Sequence, residues 1–152
     1  VLQFGYGPAG GGLYWSITNW YIGVDGNYIN THCKEVQAGD MLFGGMIMNG
    51  KAWNIEFVDT TTPKINAQLS TASKFNPQPQ YIAYVTLETY NVFSCAAYPT
   101  KPMIFSKMQL QTTTDSAPEN SFKWVQAWYA QNCGESTKIL NNLGNQVQVN
   151  FQ

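Results

Sequence analysis

The feature that most constrains this fold is an alternation of apolar and polar residues on both sides of a tight-turn signal. The segment Met41–Asp59 contains Asn49-Gly50 between two strand-like runs. Asn-Gly in such a position is the strongest short-range signal for a β-hairpin. The second arm has two faces, Trp53, Ile55 and Phe57 on one and Asn54, Glu56 and Val58 on the other. This segment therefore predicts an antiparallel hairpin with one half-buried face.

Three further segments are predicted to be strands. At the C-terminus, Val147, Val149 and Phe151 alternate with Gln146, Gln148, Asn150 and Gln152. In Tyr81–Tyr90, alternation places Ala83, Val85 and Leu87 on a core face, opposite Tyr84, Thr86, Glu88 and Tyr90. Phe122–Gln131 has Trp124 and Trp128 four apart, a spacing that fits a helix or a strand; the strand-rich context favours a strand. We therefore predict an all-β fold, an antiparallel β-sandwich.

Length and composition limit the classes of protein that remain. The chain has 152 residues, which predicts one domain spanning 1–152. Charged residues make up only 11% and the net charge is −1, whereas nucleic-acid binding needs clustered cations; we expect no nucleic-acid partner. No apolar run is long enough for a membrane span. A surface rich in neutral polar groups changes little as pH falls, which fits a secreted protein in acidic surroundings and equally any extracellular β-domain of low charge.

The cysteines predict one disulfide and no metal site. Cys33, Cys95 and Cys133 allow one pair and leave one thiol free or available to another molecule, and the pairing stays open. None has metal-ligand spacing, and His32 beside Cys33 lacks a second pair of ligands. We expect no metal and no cofactor.

Two polar residues stand out within apolar strand patterns. Gln3 lies between Leu2 and Phe4, and Glu88 follows an uncharged run rich in β-formers. A carboxylate on such a strand is costly to bury without a partner or a function. By contrast, Asp59 and Glu56 are not expected to be general acids, because their strand face is predicted to be solvated. The glycine-rich segment 7–12 lacks the Lys-Ser/Thr ending of a phosphate loop and is predicted to be a loop or flap.

The order and spacing of these residues resemble the glutamic peptidases, or eqolisins, of the scytalidoglutamic and aspergilloglutamic type. The family's Gln segment is similar to Val1-Leu2-Gln3-Phe4-Gly5, and its Glu segment to Val85-Thr86-Leu87-Glu88-Thr89-Tyr90. Its aromatic segment resembles 14–21 here, its Gly-Asp strand opener Gly39-Asp40, and its closing strand 144–151. Gln3 and Glu88 are 85 positions apart, close to the family's separation.

The resemblance implies a concanavalin-like sandwich of two bent sheets and an acid endopeptidase that needs no metal or cofactor. Glu88 would act as general base and then general acid, and Gln3 would stabilise the oxyanion. A carboxyl group that performs both steps works best in acid. The groove residues would be Trp20, Tyr21, Tyr84 and Tyr90, and the substrate a polypeptide.

The chain also departs from the family pattern. Family members have strands before the Gln, whereas Gln3 is the third residue here. We therefore expect the strand at 1–6 to lack neighbours unless a light chain, a preceding segment or a neighbouring subunit supplies them. An acidic residue that the family has shortly after the Gln is absent from 5–12, which puts the substrate preference in question.

A second hypothesis belongs to a different class, because a fold does not fix a function. The chain would then be a non-catalytic eqolisin-like β-sandwich that binds glycans or assembles with itself through open strand edges. Cleavage of an unfolded protein that depends on Glu88 and Gln3 distinguishes the two hypotheses.

Overall fold

The structure confirms the all-β class. The computed structural model describes residues 1–4, 14–62, 65–72, 80–86, 94–112, 124–127 and 133–151. Within them the only helical element is a short 3₁₀ turn at Cys95–Ala97, and every strand pair is antiparallel. The strands are β1 (Leu2–Phe4), β2 (Trp15–Ile17), β3 (Trp20–Ile22), β4 (Tyr28–Asn30), β5 (Lys34–Val36), β6 (Leu42–Asn49), β7 (Ala52–Asp59), β8 (Asn66–Ser70), β9 (Met103–Phe105), β10 (Ser136–Ile139) and β11 (Val147–Asn150).

The chain divides into two compact units, Val1–Ile82 and Ala83–Gln152. The first contains three sheets, β1-β2-β5, β3-β4 and β6-β7-β8, and the second contains β10-β11-β9. Each unit is described by itself below. The single domain spanning 1–152 and its sandwich arrangement stay predictions.

Strand β1 has a neighbour from its own chain. It pairs with β2, which pairs in turn with β5, so β1 is one edge of this three-stranded sheet. The expectation that the strand at 1–6 would lack neighbours was therefore wrong for residues 2–4; residues 5 and 6 lie outside the described part. The error arose because β2 pairs with β1 from beyond a glycine-rich segment, a long-range contact that local sequence patterns do not reveal.

The predicted hairpin is confirmed. Strands β6 and β7 pair over eight residues each, from Leu42↔Asp59 to Asn49↔Ala52. The two-residue loop is Gly50-Lys51, one place beyond the expected Asn49-Gly50 centre. Gly50 has φ +60°, a left-handed conformation that glycine adopts without a steric penalty.

A buried asparagine attaches the chain between β2 and β3 to the β6-β7-β8 sheet. Asn19 is 2% exposed, and its Nδ2 donates to Ile55 O (3.2 Å) and Ala67 O (2.6 Å) on β7 and β8. Both carbonyls also belong to the ladder between these strands, whose register is Ile55↔Leu69 and Phe57↔Ala67. Asn19 thus satisfies its own buried donors, as a buried amide must.

In the second unit, the predicted C-terminal alternation is confirmed. Val147, Val149 and Phe151 are between 5% and 7% exposed and form one apolar cluster. Half-buried side chains pack against it, namely Val85, Tyr98, Met103, Phe105, Met108 and Ile139. The intervening polar residues of β11 lie on the other face.

Two predicted strands are not formed where the structure describes them. Residues 81–86 and 124–127 have no strand assignment, and the remainders of these two segments lie outside the described residues. Tyr81 and Ile82 are 90% and 78% exposed, whereas Val85 reaches the apolar cluster. Strand propensity alone supplies no hydrogen-bonding partner, and no described strand pairs with either stretch.

Candidate functional site

The predicted oxyanion residue lies on the sheet formed by β1, β2 and β5. Gln3 pairs with Ser16, and Ser16 pairs with Glu35 on the other side. Residues directly opposite each other in antiparallel strands share a face. Gln3, Ser16 and Glu35 therefore form one polar row across three strands. Within the described residues, the Gln3 amide therefore shares a face with the carboxylate of Glu35, which is not the predicted partner Glu88.

The Gln3 amide donates to a thiol. Its Nε2 lies 3.2 Å from the Sγ of Cys33, a half-buried free cysteine that immediately precedes β5. A thiol sulfur is a weak hydrogen-bond acceptor.

Ser16 occupies the centre of the row and is almost inaccessible. It is 1% exposed, and its Oγ has no hydrogen-bond partner among the described residues. Such a buried hydroxyl cannot meet a large substrate directly.

A groove runs alongside this sheet in the same unit. Two adjoining cavities of about 460 and 290 Å³ lie between residues 28–34 and β8. Both cavities are lined by Asn30, Thr31 and Gln68. His32 and Lys34 line the smaller one, and these two residues flank Cys33 in the sequence. Cys33 itself lines neither cavity, because Lys34 pairs with Ile17 and lies on the opposite face of the sheet from Glu35 and Gln3.

Both walls of the groove are strand edges. Thr31 N donates to Asn19 O (3.1 Å), so the odd-numbered residues of this stretch form their backbone hydrogen bonds with the β3 side. Because bonding alternates along a strand, the backbone groups of Tyr28 and Asn30 point away from β3. Thr71 N donates to Trp53 O (3.1 Å), so by the same alternation the even-numbered residues of β8 direct theirs away from β7. The even-numbered residues of both walls line the groove.

The described members of the predicted substrate-binding set differ in how exposed their side chains are. Tyr21 is buried, with 9% exposure, which favours packing over contact with a peptide. Trp20 is half-buried, and its ring lies 5.4 Å from that of Tyr28, centroid to centroid. Tyr28 lines the groove, so Trp20 supports a groove wall. Tyr84 is 71% exposed in the second unit.

Two of the predicted site residues, Glu88 and Tyr90, lie outside the described residues. Their roles stay predictions. Sequence reasoning also missed the residues that line the groove, such as Tyr28 and Gln68. Their short strands have no distinctive alternation, and only the spatial neighbourhood of β4 and β8 reveals them.

The expectation that Asp59 is on a solvated face was wrong. Asp59 is 0% exposed, and its Oδ1 accepts from the N–H groups of Thr61 (2.8 Å) and Thr62 (3.0 Å). Its Oδ2 has no hydrogen-bond partner in the described part of the chain. The alternation along β7 places Asp59 on the same face as Trp53, Ile55 and Phe57, so the expected solvation disagreed with the pattern itself. Asp59 is thus a turn-forming residue at the end of the hairpin.

The cysteine pairing is resolved by the structure. Cys95 and Cys133 form a disulfide across 38 positions, and Cys33 is the free thiol. The prediction of one disulfide and one leftover thiol is confirmed.

Comparison with known proteins supplies no assignment. No protein-family model, curated protein or solved structure matches this chain. None of the helices in the described residues is long and apolar enough to cross a membrane. The functional argument therefore depends on the residues and their geometry.

Proposed function

We propose that this chain is a secreted acid endopeptidase in which Gln3 and Glu88 act on the scissile peptide bond. The observation that carries the proposal is the placement of Gln3. Its amide nitrogen lies 3.2 Å from the Cys33 thiol, and Gln3 belongs to a polar row with Ser16 and Glu35. The order and spacing of the Gln and Glu segments in the sequence give further support.

The proposed chemistry needs only these two side chains and water. The Glu88 carboxylate takes a proton from a water molecule while the water oxygen attacks the scissile carbonyl carbon. The carbonyl oxygen becomes an oxyanion, and an N–H of the Gln3 amide stabilises it. The C–N bond then breaks, and protonated Glu88 gives its proton to the leaving amine. Glu88 ends as a carboxylate, ready for a second cycle.

The Gln3 amide has the chemistry of an oxyanion donor. In the resting protein the amide donates to a sulfur, which binds a proton donor poorly. An oxyanion is a much stronger acceptor than the sulfur or a ground-state carbonyl, so this hydrogen bond would strengthen as the transition state forms. One such donor is commonly worth roughly 3–4 kcal/mol of transition-state stabilisation.

The groove suits an extended polypeptide as substrate. Its walls are two strand edges, and an extended peptide binds such an edge through main-chain hydrogen bonds. Main-chain bonding is largely independent of side-chain identity, so we expect broad cleavage preference. The lining is mostly neutral and polar, with Asn30, Thr31 and Gln68 common to both cavities.

Cleavage of an unfolded protein, measured from about pH 2 to 7, tests the catalytic residues. We expect the wild type to cleave best in acid. Glu88→Gln should remove activity, and Gln3→Ala should lower kcat roughly 100- to 1,000-fold. Glu35→Gln is the matched control, because Glu35 shares the face of Gln3 but has no role in the proposed chemistry. Full activity of Glu88→Gln together with loss in Glu35→Gln would show that the carboxylate was misassigned.

A second experiment tests the groove separately from the chemistry. Gln68→Trp places a bulky ring in the groove from an exposed position, so it should raise KM while kcat changes little. Asn54→Trp, on an exposed β7 position outside the groove, is the control. Equal KM values for the two variants would exclude this groove as the substrate site.

A further inference from the structure

Strand β6 is a sheet edge with exposed apolar side chains on both faces. It is the outer strand of β6-β7-β8, and the segment from Met41 to Gly50 contains no charged residue. Met41, Phe43, Met46 and Ile47 are 71%, 50%, 70% and 64% exposed. Phe43 and Ile47 lie on one face, and Met46 lies on the other.

Hydrogen bonds to β7 determine which β6 backbone groups point outward. Asn49 and Ala52 flank the two-residue loop and pair with each other, and Thr60 N donates to Met41 O (2.7 Å) at the opposite end. Bonding alternates along the strand, so odd-numbered residues bond toward β7. The outward groups belong to Leu42, Gly44, Met46 and Met48. They have no hydrogen-bond partner in the described part of the chain.

An edge of this kind is unusual for an isolated molecule. Natural sheet edges are commonly protected by charges, prolines, bulges or short strands. Strand β6 has eight residues and none of the first two protections. The geometry points to a second copy of this chain as its partner: two β6 strands pair antiparallel about a twofold axis at Gly45 and join two sheets into one.

The alternation of backbone groups selects this register. Outward residues must face outward residues, so Leu42 pairs with Met48 of the second copy and Gly44 with Met46 of the second copy. Symmetric registers centred on Gly44 or Met46 place Met48 or Leu42, respectively, opposite a residue outside β6. The Gly45 axis is therefore the register that pairs all four outward residues of each copy.

Side-chain sizes agree with the same register. Phe43 faces Ile47 of the second copy twice, and such aromatic and β-branched pairs stabilise a sheet by roughly 0.2–1 kcal/mol each. The Phe43 ring already lies over Gly45, 3.5 Å from where a Cβ would stand. Glycine on the axis leaves room for the rings of both copies. The large Met46 side chain likewise faces the small Gly44.

Charges at the two ends of β6 favour a second copy in this orientation. Asp40 precedes the strand and Lys51 follows it. Antiparallel pairing about Gly45 places Asp40 of one copy beside Lys51 of the other at both ends. Parallel pairing would instead place Asp40 next to Asp40 and Lys51 next to Lys51. The charges therefore favour antiparallel over parallel pairing of two copies.

Sedimentation of the purified chain tests the proposal. We expect a concentration-dependent dimer of the 17.0 kDa chain. Ile47→Lys should weaken dimerisation at least about tenfold, because it sets a cation against Phe43 of the second copy at two places. Val24→Lys, at a position 91% exposed and outside β6, should leave dimerisation unchanged. A monomer at every concentration, or equal effects of the two variants, would overturn the proposal.

Cysteine crosslinking tests the register and does not depend on how the lysine variant folds. Gly45→Cys places two new thiols opposite each other across the axis, at the separation of directly paired residues, which a disulfide spans. In the same register Gly44 of one copy faces Met46 of the other, so the two thiols of Gly44→Cys are not opposite each other. We expect oxidation to crosslink Gly45→Cys and to leave Gly44→Cys and the wild type largely uncrosslinked. Crosslinking of Gly44→Cys in preference to Gly45→Cys would overturn the register.

Discussion

Among the described residues, the unit Val1–Ile82 buries as many polar as apolar side chains, whereas the unit Ala83–Gln152 buries a small apolar cluster and contains a disulfide. In the first, the least exposed side chains are Ile17, Asn19, Thr18, Thr71, Asp59 and Ser16, of which only one is apolar. In the second, the cluster is Val147, Val149 and Phe151. Buried polar groups stabilise a fold only when they are hydrogen-bonded. The first unit should therefore be sensitive to loss of single hydrogen bonds, and the second to loss of its covalent link.

The largest expected effect sharpens this comparison through the disulfide. The double variant Cys95→Ala and Cys133→Ala opens a loop closed across 38 positions, which should destabilise the second unit by about 4 kcal/mol. Hydrogen exchange should show faster amide exchange in β9–β11 and little change in β6–β8. Cys33→Ala, in the first unit, is the matched control. Equal loss of protection in both units would contradict the comparison.

Asn19→Ala should give the next largest effect. The change removes two hydrogen bonds to Ile55 O and Ala67 O and leaves a small cavity, so we expect a loss of about 2–4 kcal/mol in the free energy of unfolding. Urea unfolding followed by tryptophan fluorescence measures it. Asn54→Ala, at an exposed position on β7, should change stability by less than about 0.5 kcal/mol. Similar losses in both variants would show that the Asn19 amide is not a main stabilising contact.

Asp59 provides a smaller and more specific test. Asp59→Ala removes the acceptor for Thr61 N and Thr62 N and should destabilise the hairpin end by about 1–2 kcal/mol. Asp59→Asn keeps an oxygen at Oδ1 and should lose less. Thermal unfolding of the two variants measures the difference. If the asparagine variant is as unstable as the alanine variant, the turn hydrogen bonds are not what Asp59 contributes.

The smallest effect depends on pH and concerns the second unit. The backbone N–H of Cys133 donates to Glu135 Oε2 (2.8 Å), and this bond lowers the pKa of Glu135 from its ordinary value of 4.5. A depressed folded-state pKa adds stability above pH 4.5 that disappears as pH falls through the lowered value. The carboxyl is exposed, so the shift in Tm should be small.

Glu135→Gln removes this titrating group. The difference in Tm between neutral and acidic solution should therefore be smaller in this variant than in the wild type. An unchanged or larger difference would show that Glu135 does not contribute to the acid sensitivity.

Part of this fold could be predicted from local sequence. The hairpin followed from Asn49-Gly50 and the alternation around it, and β11 followed from Val147 and Val149. Residues 81–86 have the same kind of alternation but form no described strand, because a strand also needs a partner that provides hydrogen bonds. The alternation of apolar and polar residues indicates which face of a strand each side chain would occupy. Residues distant in the sequence determine whether the strand forms and whether that face is buried.

The candidate site was predictable to a smaller extent. The pattern around Gln3 identified it as unusual, but its contact with Cys33 joins residues 30 positions apart. The groove forms between β4 and β8, two short strands without distinctive alternation. Alternation along β7 does place Asp59 on the face of Trp53, Ile55 and Phe57, but no local signal shows that the following threonine turn donates hydrogen bonds to it. Sites built from long-range contacts between short strands leave little trace in a single sequence.

The most direct test of the central claim is the rate at which Glu88→Gln cleaves an unfolded protein in acid, measured by mass spectrometry of the peptides against the wild type. We predict many internal cleavages by the wild type and none above background by this variant, with both proteins equally folded by circular dichroism. Equal peptide release by the two proteins, or none by the wild type at any pH from about 2 to 7, would contradict the claim that this chain is a glutamic endopeptidase.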